Sequence, residues 1–323
     1  MGDNAALTAA KRAKKDEFYT QRADIEDELR NYKAHFKDTA VLCNCDDPRE
    51  SEFFKYFVEN FEALGLKRLA ATCYKSQDTD LFSQSECERA ICQIYEGDTN
   101  GNMTLDDNEV RIRHLEDDGD FRSRECIEIM KQADIVVTNP PFSLFREYLA
   151  QLIRHDKKFL IIGNVNAITY KEVFPLFMQN RIWLGASIHS GDRKFGVPEN
   201  YPLNAAGCGV DGNGQRYIRV KGVRWFTNLD YPQRHEKLAL YKPYSPDEFP
   251  KYDNYDAIEV SRTADIPYDY DGVMGVPITF MDKYNPDQFE IVGNEYTLGI
   301  DRGRGYVNGK RMYSRIFIRH KKQ

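Results

Sequence analysis

Between residue 41 and about residue 228 the apolar positions follow two alternating rhythms. Short β-branched runs at 41–44, 68–74, 110–115, 135–138 and 159–164 read as five successive strands. In the stretch 51–64, Phe53, Phe54, Phe57, Val58, Phe61 and Leu64 fall on one helical face, and 122–132 and 144–153 repeat that spacing. The alternation predicts an α/β fold in which consecutive strands pair in parallel through right-handed crossovers under helices on both faces. Candidate strands at 182–186 and 223–228 bring the sheet to about seven. Beyond Asp230 the rhythm stops: Pro232, Pro243, Pro246, Pro250, Pro267, Pro277 and Pro286 predict a loop-rich, short-stranded region and a boundary near residue 235.

Residues 134–142 read Asp-Ile-Val-Val-Thr-Asn-Pro-Pro-Phe, a buried strand running directly into Asn139, Pro140, Pro141 and Phe142. In an open α/β sheet, ligands bind at the carboxyl ends of strands. Two prolines donate no backbone hydrogen bond and hold φ near about −65°, so the chain leaves the strand on a fixed path with bare carbonyls. The Asn139 carboxamide oxygen and the Pro140 carbonyl can accept both hydrogens of an exocyclic amine, and Phe142 offers a face for a planar base or amide. An aromatic amine is a poor nucleophile because its lone pair is delocalised into the ring. Two acceptors that draw the nitrogen toward tetrahedral geometry localise that pair and stabilise the positive charge it develops on attack.

Composition narrows the setting. The longest apolar runs, such as 159–162, fall far short of the roughly 18 residues of a membrane span, and the basic stretch before Asp16 lacks the apolar core of a secretory signal. A cytoplasmic protein is expected. The seven cysteines form no C-x-x-C pair and stand near no histidine at zinc-finger spacing, which predicts reduced thiols and no metal site. The segment from Asp98 to Glu109 resembles a calcium loop, but Met103 replaces the glycine of its sharp turn and its flanks read as strands, so a polar hairpin turn is expected. Gly207, Gly209, Gly212 and Gly214 read as a flexible loop.

A net charge of −6 excludes a protein that coats nucleic acid through bulk charge, yet the charge is unevenly placed. Residues 77–120 hold thirteen acidic against three basic side chains, whereas 302–323 hold eight Arg or Lys and no acid. That C-terminal stretch interleaves aromatics with Arg304, Lys310, Arg311, Arg315 and Arg319, a candidate contact to a DNA backbone. Polar and basic side chains in 189–219 and 231–251 suit base edges.

Longer blocks carry a family resemblance: Asp16-Glu-Phe-Tyr-Thr-Gln21, Cys43-Asn-Cys-Asp-Asp-Pro48, Gly119-Asp-Phe-Arg-Ser123, Lys158-Phe-Leu-Ile-Ile162, Tyr252-Asp-Asn-Tyr-Asp-Ala-Ile258 and Gly272-Val-Met-Gly-Val-Pro-Ile278. With the tetrapeptide at 139–142, the chain resembles, over nearly its whole length, the EcoRI-type adenine-N6 DNA methyltransferases, which use S-adenosylmethionine. The resemblance implies a Rossmann-like methyltransferase sheet at 16–235, a basic tail at 1–15 and a smaller DNA target-recognition region at 236–323. It places Phe18, Tyr19 and Thr20 beside the methionine part of the cofactor, and Asn44, Asp46 and Asp47 in the cofactor turn. Asp120 would accept from the cofactor's adenine amine with Phe121 against the ring, and Asn139, Pro140, Pro141 and Phe142 would hold a flipped target adenine.

The turn after the first strand has no glycine where the wider class has several, and the second strand lacks the acidic residue that commonly binds ribose hydroxyls. The implied partner is duplex DNA, in a restriction-modification or phage-protection setting, with room for a cognate restriction endonuclease acting on the same site without a stable complex. Two alternatives stand beside this: the same chemistry on RNA adenine, DNA cytosine or a protein glutamine, and a DNA-binding relative without catalysis.

Overall fold

In a computed structural model of the chain, the structure describes residues 18–73, 90–98, 101, 108–197, 201, 203–204, 207–300 and 303–321. The described residues up to Ala167, with Ser190–Leu229, form one compact unit, and Ile168–His189 join the residues from Asp230 onward in a second. The basic tail at 1–15 lies outside the described residues.

The first unit carries β1 (Tyr19–Thr20), β2 (Ala40–Asn44), β3 (Arg68–Thr72), β4 (Ile91–Tyr95), β5 (Val110–His114), β6 (Ile135–Thr138) and β7 (Lys158–Asn164). After β8 (Trp183–Leu184), which belongs to the second unit, it continues with β9 (Asp192–Gly196), β10 (Cys208–Val210), β11 (Arg216–Lys221) and β12 (Val223–Thr227). Seven of these strands lie side by side in the order β5-β4-β3-β2-β6-β7-β12. Their inner members read as continuous apolar runs because both faces are covered: Ile135, Val136, Val137, Leu160, Ile161 and Ile162 are wholly buried. The amphipathic stretches become helices at Glu52–Glu59, Phe61–Leu64, Arg124–Gln132 and Phe145–Arg154. Ser123 caps the third of these, accepting from the Cys126 amide.

The mixed α/β architecture is as expected, and the strand order is not. β5 sits at the edge and pairs only with β4, antiparallel, rather than beside β6. β2, β3, β6 and β7 are parallel, while β4 and β12 enter antiparallel against β3 and β7. The missed element is β4: β4 and β5 are the two arms of a hairpin, and a hairpin reverses direction where a helical crossover would have preserved it. The Asp98–Glu109 segment connects those arms, although residues 99–100 and 102–107 fall outside the described ones. Because β2 has β3 on one side and β6 on the other, the chain changes winding direction there, and the carboxyl ends of β2 and β6 open the crevice such a reversal creates.

A second sheet in the same unit runs β1-β9-β11-β10, all antiparallel. Its β10 overturns the flexible-loop reading of the glycine cluster. Gly207 and Gly214 adopt φ of 93° and 81°, and Cys208, Gly209 and Val210 pair with β11.

The second unit is built on β13 (Ile258–Glu259), β14 (Met274–Val276), β15 (Phe289–Asn294) and β18 (Ile316–His320), in the order β13-β14-β18-β15. A small hairpin, β16 (Tyr306–Val307) with β17 (Lys310–Arg311), stands apart from that sheet. Short strands and single-turn helices replace the βα rhythm, as the prolines require. No helix among the described residues is long and apolar enough to cross a membrane.

Candidate active site

Several buried polar groups of the first unit meet at the carboxyl ends of β2 and β6. Thr138, the last residue of β6, donates its hydroxyl to the Asn44 carbonyl, and Tyr148 donates to Asn44 Oδ1. Asn44 is therefore turned inward and shapes the turn that follows. In that turn Cys45 holds φ at 77°, the left-handed conformation for which the wider class uses glycine. Buried Asp46 accepts from Ser51, and Asp47 is chelated by Arg49 at 2.9 and 2.5 Å.

One strand over, the chain passes from β6 into Asn139. Its Nδ2 donates to the Phe18 carbonyl at 2.6 Å, which fixes the amide's orientation, while its Oδ1 is buried and has no hydrogen-bond partner. Phe142, half-buried after Pro140 and Pro141, lies 5.9 Å from the Phe18 ring and 6.1 Å from Phe195. Thr20, next but one to Phe18, also buries a hydroxyl without a partner. A buried acceptor left without a partner beside an aromatic cluster is an incomplete hydrogen-bond network, and a ligand with an N–H completes it.

The Asp120–Phe121 loop reaches the end of β3 through Gly119. A Cβ there would stand 2.1 Å from the Cys73 carbonyl, and φ is 80°, so only glycine brings the loop this close. Asp120 accepts from Arg122 at Nε and Nη2 (2.8 and 2.6 Å) and from its amide, and these contacts hold the carboxyl below its usual range. A carboxylate has about four acceptor positions, so one remains. Phe121 is buried edge-on against Tyr148 at 5.0 Å.

In the second unit the five basic residues divide. Lys310 and Arg311 are exposed on β17, Arg304 bonds to Ser314, and Arg319, half-exposed, pairs with Glu290 at 2.7 Å. Arg315 departs from expectation. It is buried, its Nε and Nη2 both engage Glu259, and its amide donates to Glu295 at 2.8 Å, so its charge is spent inside the unit and is not presented to a DNA backbone.

Sequence reading singled out neither Phe195 nor Tyr201, and met Arg216 only within a polar stretch. Phe195 and Tyr201 pack on Phe18 at 6.1 and 6.2 Å, and the Tyr201 carbonyl accepts from Arg216. The alternation of Arg193, Lys194, Phe195 and Gly196 was the available signal for β9.

β6 thus delivers Asn-Pro-Pro-Phe, with the unpartnered Asn139 Oδ1, to the point where the sheet reverses. The chain matches the family described as adenine-specific methyltransferase EcoRI over residues 6–321. It is 51% identical to the type II methyltransferase M.EcoRI of Escherichia coli, across 99% of this chain and 97% of that one. It is 38% identical to the type II methyltransferase M.MgeORF184P of Mycoplasma genitalium, covering 96% and 97%, and 37% identical to M.MpnI of Mycoplasma pneumoniae, covering 97% of each. No solved structure matches it. The chain belongs to the EcoRI family of adenine-specific methyltransferases, and it is a DNA methyltransferase.

Proposed function

We propose that the chain transfers a methyl group to the 6-amino group of an adenine swung out of duplex DNA, at a specific site and within restriction-modification. The observation that carries this reading is Asn139 Oδ1: buried, unpartnered, and held in place through its own Nδ2. A 6-amino group offers two N–H donors, one for Asn139 Oδ1 and one for the Pro140 carbonyl, with the ring against Phe142. A base stacked in a duplex cannot reach such a slot, so it must leave the stack, at about a few kcal/mol that contacts elsewhere offset.

S-adenosylmethionine suits the neighbouring crevice. Thr20 brings an unpartnered hydroxyl, the 44–47 turn supplies polar groups, and Asp120 retains an acceptor position beside Phe121. Bound there, the cofactor supplies an electrophilic methyl group. Asn139 and Pro140 would accept from the attacking amine and stabilise its developing charge while the new nitrogen–methyl bond forms and the methyl–sulfur bond breaks; the surplus proton on nitrogen then passes to solvent, so no strong base is required before the new bond begins to form. Phe18 serves twice, packing on Phe142 through its ring and orienting Asn139 through its carbonyl.

The second unit, from about residue 236, would read the DNA word, with Arg304, Lys310, Arg311 and Arg319 holding phosphates. A cognate restriction endonuclease would act on the same site without a stable complex. Labelled S-adenosylmethionine offered in parallel to duplex DNA, ribosomal RNA and a protein extract tests the substrate. Label recovered as N6-methyladenine from duplex DNA is expected. Label in RNA or protein would overturn it.

A further inference from the structure

Arg216 stands out among the cations of the first unit. It opens β11 opposite Val210 on β10, and its carbonyl accepts from Val197, so it lies two strands from β1. At about 4.8 Å per strand, that is roughly 10 Å from the Phe18 backbone that orients Asn139. A guanidinium has five N–H donors. Among the described residues one protein acceptor serves them, the Tyr201 carbonyl at 2.5 Å, and Nε is buried without a partner there.

The groove that Arg216 lines, of about 960 Å³, also carries Thr20, Arg22, Lys55 and Gln215, together with the carboxylates Glu50 and Glu52. Of the three described cations along it, Arg22 is held by Glu26 and Glu59 at 2.6 and 2.5 Å, and Lys55 by Glu52 at 3.1 Å. Arg216 has no carboxylate among the described residues. A half-buried guanidinium without a counter-ion is a costly arrangement that a bound anion relieves. β9 and β11 add to the field, with Arg193, Lys194, Arg219 and Lys221 besides Arg216 against a single acid, Asp192. On the outer face Lys194 and Arg219 stand directly opposite each other and share the Tyr217 ring, a like-charge pair that sheets ordinarily avoid.

We propose that Arg216 is a positioning residue that clamps a backbone phosphate of the extruded target nucleotide. The inference rests on the base-extrusion reading above. The aromatic slot takes the base, and a base brings its phosphate within one sugar of itself. Arg216 reaches toward that position because Tyr201, whose ring packs edge-on to Phe18, holds its Nη2. A planar fork is the donor set that fits two phosphate oxygens at once.

The test uses the full chain and a duplex whose methylated site has been mapped by sequencing. Arg216→Gln should bind it about ten-fold more weakly at physiological salt, with the slope of log K against log salt shallower by about 1 and with unaltered cofactor affinity by calorimetry. A methylphosphonate at a phosphate flanking the target adenine should cost the wild type the same ten-fold and cost Arg216→Gln nothing more. Arg216→Lys, which keeps the charge and loses the fork, should restore the slope without restoring full transfer, and it serves as the probe if Arg216→Gln does not fold. Equal salt slopes, an equal methylphosphonate penalty in both proteins, or a loss confined to cofactor affinity would each overturn the clamp; the last would assign the guanidinium to the cofactor's carboxylate. Fluorescence of 2-aminopurine at the target position judges extrusion separately. A dark signal in the wild type would sink that reading while the methylphosphonate comparison still decides the Arg216 contact.

Discussion

The strand-end site of the first unit and the Glu259–Arg315 cluster of the second both bury polar groups, and they treat them in opposite ways. In the second unit Glu259 accepts from Arg315 at two nitrogens, from the Tyr252 hydroxyl and from Ser261, while Glu295 takes the Arg315 amide. Every donor of consequence in that cluster has its acceptor. In the first unit Asn139 Oδ1, Thr20 Oγ1 and Arg216 Nε are buried with none. Satisfied buried polarity specifies a fold, whereas unsatisfied buried polarity destabilises the free protein and is kept where a ligand will complete it.

That contrast can be broken from either side. The largest effect is expected at Glu259, whose side chain is 3% exposed against 9% for Arg315. Glu259→Gln strands the guanidinium and should cost about 3–5 kcal/mol in urea unfolding, whereas an apolar pair at both positions should be nearly neutral. A single-variant loss below about 1 kcal/mol, the size of an ordinary neutral hydrogen bond, would mean that the cluster is not architectural.

At the strand end the balance should invert. Asn139→Ala should lower kcat by about 100- to 1,000-fold and leave stability within about 1 kcal/mol of the wild type. Cofactor affinity should hold in a calorimetric titration; an equal fall there would refute the division of roles between Asn139 and the 44–47 turn.

Smaller effects are expected on the outside of the second unit. Lys310→Gln and Arg311→Gln should each flatten the salt dependence of DNA binding by about 1 with no change in melting. If both slopes match the wild type, β17 lies outside the interface.

The smallest effect concerns His235, which bonds to Asp287 at 2.8 Å and to Asp230 at 2.9 Å. Donating to Asp287, and then to Asp230, raises its pKa, and both carboxyls are lowered. Stability from the raised imidazole is complete below its unfolded value of about 6.5 and is lost as pH rises through the higher folded value. The contribution of the depressed carboxyls is lost at the acid end, as pH falls through their folded values. The melting advantage of wild type over His235→Gln should therefore peak between about pH 4 and 6.5 and shrink in alkali; an advantage that grows with pH would show that the imidazole is not bound as a cation.

Much of the site was legible because its parts are contiguous. Asn139 to Phe142 follow a short apolar strand directly, and proline permits few paths out of it. The helix faces of 51–64 and 144–153 were legible for the same reason, since period alone marks them. The place of β5 in the sheet was not legible, because a hairpin and a helical crossover leave similar apolar runs at their ends. Nor was the inward turn of Arg315, whose partner Glu259 stands 56 positions away. A basic residue in a basic stretch reads as exposed until the fold shows what it faces.

By itself, then, the sequence determined the parallel strands and amphipathic helices of the first unit, the Asn-Pro-Pro-Phe tetrapeptide at a strand's end and the family, all of which depend on neighbours along the chain. Only the tertiary structure decided which polar atoms are answered. The Phe18 carbonyl that aims Asn139 comes from 121 residues away, and the Tyr201 carbonyl, between β9 and β10, meets Arg216 of β11. Hydrogen bonds are short-ranged and directional, so whether an acceptor is spent or open is settled by the few ångströms that folding arranges.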